Sequence, residues 1–286
     1  MEYVGEILLI ALIAGVGGTG VGGLLGSLFR KNSNHVISLL LSATGGVMVA
    51  IVCFDLLVES VEASQGVFGD AGVLLTAFMV LLGVGVVMLL NWLIDRSTGP
   101  QVEHTAAEDH PDAHDAVDEL VHVDHFNEHV RRGDSRRDLW MAGIVIACAI
   151  GLHNVPEGMS IGASFAIQGD GAITAALTLA TLIGLHNIPE GMAVTVPLVA
   201  GGMGRAKAVL ITAALGLPMV LGALLGLWLG DIGPLGLACS LGFASGAMLY
   251  VVFGEILPQS ILMCRSRVPA ILVVVGILIG MCLIYL

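Results

Sequence analysis

This chain of 286 residues carries a formal net charge of −12, with 56% hydrophobic residues and only 12% charged residues. Soluble domains carry about 25% charged residues, so this composition indicates an integral membrane protein and argues against a soluble enzyme.

Eight apolar stretches are long enough to cross a bilayer, which takes roughly 20 residues of helix. They predict an all-α membrane protein with three transmembrane helices in residues 1–96, a polar loop at 97–138 and five more helices in residues 139–286. In chain order, the stretches cover approximately residues 4–29, 36–61, 70–94, 139–165, 172–199, 206–229, 234–263 and 268–286.

The 11 basic residues all follow the first, third, fifth or seventh stretch. Lys and Arg concentrate in cytoplasmic loops, so these four loops are predicted to be cytoplasmic and both termini to lie outside. A multi-pass protein of the cell (inner) membrane is therefore expected. The basic residues are Arg30, Lys31, Arg96, Arg131, Arg132, Arg136, Arg137, Arg205, Lys207, Arg265 and Arg267.

Acidic residues inside the apolar stretches are the next feature. Asp55 and Glu59 lie four residues apart in the second stretch, which places them on one helical face near its outer end. Glu255 lies within the seventh stretch. Such residues indicate an entry or release path lined by carboxylates. The alternative is a set of acids in interfacial water, which suits Glu62 better than Asp55 or Glu255.

The polar loop at residues 97–138 holds six of the nine histidines and eleven acids. Such a composition cannot build an apolar core, and it predicts a disordered cytoplasmic segment. His122, His125 and His129 would share one face of a helix, so we expect an accessory role in metal capture. An acidic loop whose histidines bind no metal is the alternative.

Two copies of one hexapeptide lie in the fourth and fifth stretches, HNVPEG at residues 153–158 and HNIPEG at residues 186–191. On a helix, His153 shares a face with Glu157, and His186 shares a face with Glu190. The prolines each remove one intrahelical hydrogen bond. The glycine that ends each motif allows another helix or a hydrated ion to approach closely.

Ionisable side chains are costly inside a bilayer and indicate a functional site. Two imidazoles and two carboxylates suit Zn²⁺, and Fe²⁺, Mn²⁺ and Cd²⁺ are compatible with the same ligands. The alternative is a pair of hydrogen-bonded contacts between helices. Duplication of the whole motif, with its Asn, Pro and Gly, favours the metal site.

The paired HNxPEG motifs resemble the signature of the ZIP (Zrt/Irt-like protein) family of divalent-metal transporters, of the prokaryotic type. The number of helices, the outside termini and the histidine-rich loop before the fourth helix also resemble that family. The resemblance implies a 3+2+3 arrangement of eight helices, a metal path around the fourth and fifth helices, and an elevator-like sliding of one helix group past another.

The same resemblance implies which residues bind metal. A histidine and a glutamate from each motif would form the main site, and the two asparagines would contribute to a neighbouring second site that shares the glutamates. A thioether ligand is implied in the second helix, where the alternative is ordinary apolar packing. The residues are Met48, His153, Asn154, Glu157, His186, Asn187 and Glu190.

The sixth stretch departs from the family pattern. Met219 and Val220 stand where many relatives have Glu-Pro. Without this carboxylate, the second metal position could be weak, absent or suited to a softer ion.

These features together predict a transporter, and not an enzyme, that moves divalent transition-metal ions into the cytoplasm. The metal is its substrate, and no prosthetic group is expected. The alternatives are an intramembrane zinc metallohydrolase, against which the absence of HExxH argues, and a metal-sensing receptor that uses the histidine loop. The expected partners are metal ions and the lipid bilayer. Nucleic acid is not expected, and a homodimer is left open.

Overall fold

The computed structural model describes residues 4–28, 33–98, 136–166, 172–264 and 266–286. Within these ranges the chain is helical, with short turns and no strand, which confirms the predicted all-α class. The loop histidines predicted to capture metal, His122, His125 and His129, lie outside the described residues.

The helices follow one another in chain order and several are interrupted by a turn of π-helix. Helix α1 covers Val4–Leu28, with a π-helical turn at Ile13–Gly17. Helix α2 consists of Ser33–Ile51, a π-helical turn at Val52–Leu56, and Leu57–Phe68. Helix α3 covers Gly72–Thr98, α4 covers Arg136–Ala166, and α5 covers Ala172–Ala200. Helix α6 consists of Arg205–Ala214 and Leu217–Asp231, joined by a turn at residues 215–216. Helix α7 covers Pro234–Met263 with a π-helical turn at Val252–Ile256, and α8 covers Val268–Tyr285.

These bounds lie within a few residues of the predicted stretches, except at the end of α2. That helix continues past residue 61 to Phe68 because its polar side chains find partners on α3. The Ser60 and Ser64 hydroxyls lie 3.2 Å and 3.1 Å from the hydroxyl of Thr76. A polar turn that is paired in this way does not have to end the helix.

Six stretches of the described residues are long and apolar enough to cross a membrane. The stretch at His35–Leu93 includes both α2 and α3, and helix α4 is not one of the six. The six are Val4–Leu28, His35–Leu93, Ala176–Ala200, Arg205–Asp231, Pro234–Met263 and Val268–Tyr285.

Helices α2 and α7 are two copies of one element, packed against each other in antiparallel orientation. The Ser60 hydroxyl donates to the Ala238 carbonyl at 2.9 Å, and the Ser38 hydroxyl donates to the Ser260 carbonyl at 2.5 Å. Their π-helical turns fall at equivalent positions, 200 residues apart in the sequence. Identical residues at this spacing are Leu41 and Leu241, Gly46 and Gly246, Met48 and Met248, Val52 and Val252, Leu57 and Leu257, and Ser60 and Ser260.

The remaining helices repeat in the same way. A Cβ atom added to Gly22 of α1 would overlap the carbonyl of Ile188 on α5, and one added to Gly222 of α6 would overlap the carbonyl of Val155 on α4. Helix α3 packs on α7 through Gly83, and α8 packs on α2 through Gly276, again backbone against backbone. The described helices therefore form an inverted repeat that relates α1, α2 and α3 to α6, α7 and α8, and α4 to α5.

The most extensive helix pairings are α4 with α6, α1 with α5, α2 with α8, α2 with α7 and α3 with α7, followed by α1 with α6 and α4 with α5. These pairings divide the helices into one group of α1, α4, α5 and α6 and a second group of α2, α3, α7 and α8. The two motif helices belong to the first group, and they meet the second group where α5 contacts α2 and α4 contacts α7.

Candidate metal centre

The two hexapeptides lie within the continuous helices α4 and α5, with Pro156 and Pro189 inside them. The glycine at the end of each motif permits close helix packing, as the sequence predicted. A Cβ atom at Gly158 would overlap the carbonyl of Met219 on α6, and one at Gly191 would overlap the carbonyl of Thr19 on α1. Each motif is therefore pressed against a neighbouring helix of its own group.

Three motif side chains converge in the interior: Glu157 from α4, and His186 and Glu190 from α5. One ligand atom from each can be chosen so that all three lie within 4.8 Å of one another, and all three residues are buried. His186 Nε2 lies 3.0 Å from Glu190 Oε1 and 3.9 Å from Glu157 Oε1. One imidazole and two carboxylates at this spacing form a donor set that Zn²⁺ and similar divalent ions accept.

The surroundings of these carboxylates favour a cation. Glu157 is 0% exposed, and neither of its carboxylate oxygens has a donor in good hydrogen-bond geometry among the described residues, although the Asn187 side chain lies beside it. Glu190 Oε2 is also buried without such a partner. Burying a carboxylate without a donor or a positive charge is costly. A divalent ion bound between the two carboxylates removes this cost.

The two asparagines are held in equivalent positions. Asn154 Nδ2 donates to the Leu215 carbonyl on α6 at 2.8 Å, and Asn187 Nδ2 donates to the Ala14 carbonyl on α1 at 3.2 Å. Both Oδ1 atoms are buried and lack a hydrogen-bond partner in the part of the chain that the structure describes. Each amide thus anchors its nitrogen on the neighbouring helix, and its oxygen is left as an acceptor for a hard cation.

His153 lies apart from this cluster, although the resemblance places it in the main site. Its Nε2 atom lies 3.1 Å from Glu255 Oε1, in the π-helical turn of α7. The same carboxylate oxygen accepts a hydrogen bond from Asn91 Nδ2 on α3. The structure therefore brings together one residue from each of α3, α4 and α7, next to the three-residue cluster on α4 and α5.

The other predicted residues have different surroundings. Met48 is 1% exposed and belongs to the main apolar core. Met219 is fully buried on α6, at the point where that helix crosses Gly158. Asp55 is half-buried in the π-helical turn of α2, and Glu59 has one buried carboxylate oxygen without a hydrogen-bond partner among the described residues. The three-residue cluster includes neither Asp55 nor Glu59.

Two polar residues in this region were missed from the sequence. Asn91 contacts Glu255, and Gln259 Nε2, one turn along α7 from Glu255, is buried and has no hydrogen-bond partner among the described residues. Both are amides inside apolar stretches, so a search for every polar side chain within the predicted helices, not only the charged ones, would have found them.

Comparisons with known protein families and with individual proteins give consistent results. A family model described as "ZIP Zinc transporter" matches residues 4–286. The chain is similar to the zinc transporter ZupT of Chlorobium chlorochromatii, with 28% identity over 254 residues that cover 88% of this chain and 86% of that protein.

Two further relatives match over a shorter region. Zinc transporter ZIPB of Bordetella bronchiseptica is 43% identical over 149 residues, covering 49% of this chain and 46% of that protein. Zinc transporter ZupT of Clostridium perfringens is 26% identical over 174 residues, covering 58% of each protein. The chain thus spans less than two thirds of the length of these two relatives. Since the family model matches residues 4–286, the chain belongs to the ZIP zinc transporter family.

Proposed function

We propose that this protein transports divalent transition-metal ions across the cell (inner) membrane into the cytoplasm. Zn²⁺ suits the site best, and Fe²⁺, Mn²⁺ and Cd²⁺ are compatible with the same donors. The observation that carries the proposal is the buried cluster of Glu157, His186 and Glu190, whose ligand atoms lie within 4.8 Å of one another. Three relatives that the chain matches are named zinc transporters, in agreement with this assignment.

Transport explains the donor set better than intramembrane zinc hydrolysis does. A catalytic zinc keeps one open coordination position and needs a nearby general base to activate water. Here both carboxylates of the cluster lie close to His186, so both serve as ligands. Of the further donors in the motifs, the amide oxygens cannot act as a general base, and His153 is paired with Glu255 on α7.

Energy for uptake would come from the metal gradient and the membrane potential, since the sequence has no nucleotide-binding loop. A divalent ion that enters a negative interior gains about 4.6 kcal/mol per ~100 mV.

The helices would span the membrane in the 3+2+3 arrangement, with both termini outside. The inverted repeat supports this arrangement, because it relates α1, α2 and α3 to α6, α7 and α8 across the central pair α4 and α5. Repeats of this kind place substrate sites near the bilayer midplane and provide two equivalent conformations for alternating access. The group of α1, α4, α5 and α6 would carry the metal and slide, elevator-like, along the group of α2, α3, α7 and α8.

A path of donors would connect the cluster to the two membrane faces. Glu255 lies on the side of α7 that meets His153, and it extends the donor set towards α3 through Asn91. Asp55 and Glu59 would extend the path towards the opposite face on α2. Met48, His153, Asn154 and Asn187 would complete the coordination of the ion at different stages of its passage.

Further elements of the proposal concern the surroundings of the protein. The loop histidines His122, His125 and His129 would collect metal at the cytoplasmic side as an accessory segment. The bilayer is the medium of the protein, and a homodimer is an open alternative to a single transporting chain.

Zinc uptake into proteoliposomes tests the proposal. The wild-type protein is compared with Glu157→Gln and His186→Ala, which remove a carboxylate and the imidazole of the cluster. Thr181→Ala on α5 is the matched control, because its exposed hydroxyl donates to the Leu177 carbonyl of its own helix and, among the described residues, to no other helix. We expect both cluster variants to abolish uptake and the control to retain it. Uptake by either cluster variant at the wild-type rate, in protein that reconstitutes normally, would refute the proposed path.

A further inference from the structure

The inverted repeat relates residues of the site in pairs, including pairs that are not in contact in the conformation seen here. Motif positions on α4 and α5 correspond at a spacing of 33 residues, so His186 corresponds to His153. Positions on α2 and α7 correspond at a spacing of 200 residues, so Asp55 corresponds to Glu255. The His153–Glu255 pair between α4 and α7 therefore has a counterpart in His186 and Asp55, between α5 and α2.

The local structure supports this correspondence. Asp55 and Glu255 occupy the same position in π-helical turns that begin at Val52 and Val252, and both side chains are half-buried. Helices α5 and α2 are in contact, as are α4 and α7. The two acids therefore stand in equivalent positions opposite the two motif helices.

The two halves of the repeat are nevertheless in different states. His153 contacts Glu255 at 3.1 Å, whereas His186 turns to Glu190 at 3.0 Å and to Glu157 at 3.9 Å. Among the described residues, Asp55 has no histidine or basic side chain within ion-pair distance. A histidine–carboxylate pair thus joins α4 to α7 across the two helix groups, and no such pair joins α5 to α2 among the described residues.

We propose that Asp55 and Glu255 are alternating partners of the two motif histidines. In the conformation seen here, Glu255 holds His153 away from the three-residue cluster, and His186 is the imidazole ligand in that cluster. In the opposite conformation, Asp55 holds His186, and His153 joins Glu157 and Glu190. The exchange moves one imidazole ligand off the ion and the other onto it as the helix groups slide. It rests on the proposed transport function and assigns both acids a positioning role.

One difference between the repeats predicts which state is favoured. Asn91 on α3 donates to the Glu255 carboxylate. Helices α3 and α8 correspond at a spacing of 193 residues, as Gly83 and Gly276 show, so the counterpart of Asn91 is Ile284. An isoleucine cannot donate a hydrogen bond to Asp55. The His153–Glu255 pair therefore has an added polar support that a His186–Asp55 pair lacks, and the conformation seen here is the more stable one without metal.

Distances between spin labels on the two helix groups test the exchange in zinc-free protein. Labels are attached to cysteines at Leu221 on α6 and Leu278 on α8, which are 62% and 51% exposed, after the native cysteines are replaced. Glu255→Gln removes the negative charge from the pair present here. We therefore expect a second distance to gain population by roughly tenfold or more, the usual effect of losing a close charged contact. Adding Asp55→Asn to Glu255→Gln should return the distribution towards that of the wild type.

The controls separate this proposal from a general loosening of the protein. Glu62→Gln removes an exposed carboxylate about two turns along α2 from Asp55 and should leave the distances unchanged. Asn91→Leu keeps both acids and both histidines and should shift the distribution in the same direction as Glu255→Gln. An unchanged distribution in Glu255→Gln and Asn91→Leu, or a double variant that behaves like Glu255→Gln alone, overturns the exchange. The proposed transport function is tested separately, and absence of zinc uptake by the wild-type protein would refute it.

Discussion

Glu157 shows most directly how burial selects the chemistry of the site. It is fully buried, carries two carboxylate oxygens without donors in good hydrogen-bond geometry among the described residues, and faces His186, which also contacts Glu190. Two carboxylates that share one site repel each other when both are ionised. A divalent ion would balance both negative charges, whereas a monovalent ion would leave the pair with net negative charge. The proposed site would therefore discriminate between ions by charge first and by donor type second.

Metal affinity should depend on pH, because the ligands must lose their protons before they bind the ion. We expect zinc affinity to fall as the pH is lowered from about 8 to about 5.5, since imidazole ligands normally protonate in this range. Isothermal titration calorimetry of the protein in detergent, repeated at several pH values, measures the change in zinc affinity. A zinc affinity that stays flat over this range would contradict coordination by the ionisable side chains of the motifs.

Met219 offers a test of the second metal position. It is fully buried beside Gly158, on the helix whose Leu215 carbonyl anchors Asn154. We expect Met219→Glu to raise the number of zinc ions bound per chain, because the added carboxylate joins the amide oxygen of Asn154. Met219→Gln has the same length without the charge and serves as the control. Elemental analysis of metal-loaded protein gives the ratio, and an equal ratio in both variants would show that residue 219 does not face a second ion.

At the scale of the helices, local pattern predicted a large part of the architecture. The apolar stretches predicted the helices to within a few residues, and the spacing of four within each motif predicted the contact between His186 and Glu190. The same spacing did not predict the partner of His153, because that partner, Glu255, lies on α7. Which helix faces another is decided by tertiary packing, and the spacing within one motif carries no information about it.

The repeat itself was present in the sequence and was not recognised there. Helices α2 and α7 share six identical residues in the span 41–60, at a spacing of 200, but these are mostly common apolar residues and glycine. Only their equivalent packing in the structure shows that the identities are meaningful. The π-helical turns at Val52–Leu56 and Val252–Ile256 had no sequence signal that we could identify.

Helix packing can be tested with two glycines of α3. A Cβ atom at Gly83 would overlap the carbonyl of Phe243 on α7, whereas one at Gly85 would meet nothing within 4 Å. We expect Gly83→Ala to destabilise the protein by about 1–3 kcal/mol, the usual cost of overpacking. Gly85→Ala should be neutral or slightly stabilising, because alanine favours the helix. Thermal unfolding in detergent compares the two, and equal melting temperatures would contradict the packing of α3 on α7.

For the whole molecule, the inverted repeat permits two kinds of motion. The repeats could rock against each other, with α1, α2 and α3 moving relative to α6, α7 and α8. Alternatively, the group of α1, α4, α5 and α6 could slide past the group of α2, α3, α7 and α8. The backbone-to-backbone contacts at Gly22, Gly222, Gly83 and Gly276 all lie within these latter groups. Such contacts are stiff, so sliding between the groups disturbs fewer of them than rocking between the repeats.

A cross-link between α2 and α7 distinguishes the two motions, because it joins the repeats but lies within one sliding group. The hydroxyls of Ser42 and Ser260 lie 2.9 Å apart, which suits a disulfide between cysteines at these positions. We expect Ser42→Cys/Ser260→Cys, in protein without the native cysteines, to retain zinc uptake after oxidation. The pair Thr195→Cys/Thr212→Cys joins α5 to α6 within the other group, where the hydroxyls lie 2.7 Å apart, and should behave in the same way. Uptake that is lost on oxidation of the α2–α7 pair and restored by reduction would establish rocking between the repeats, because a sliding group is not restrained by a bond inside it.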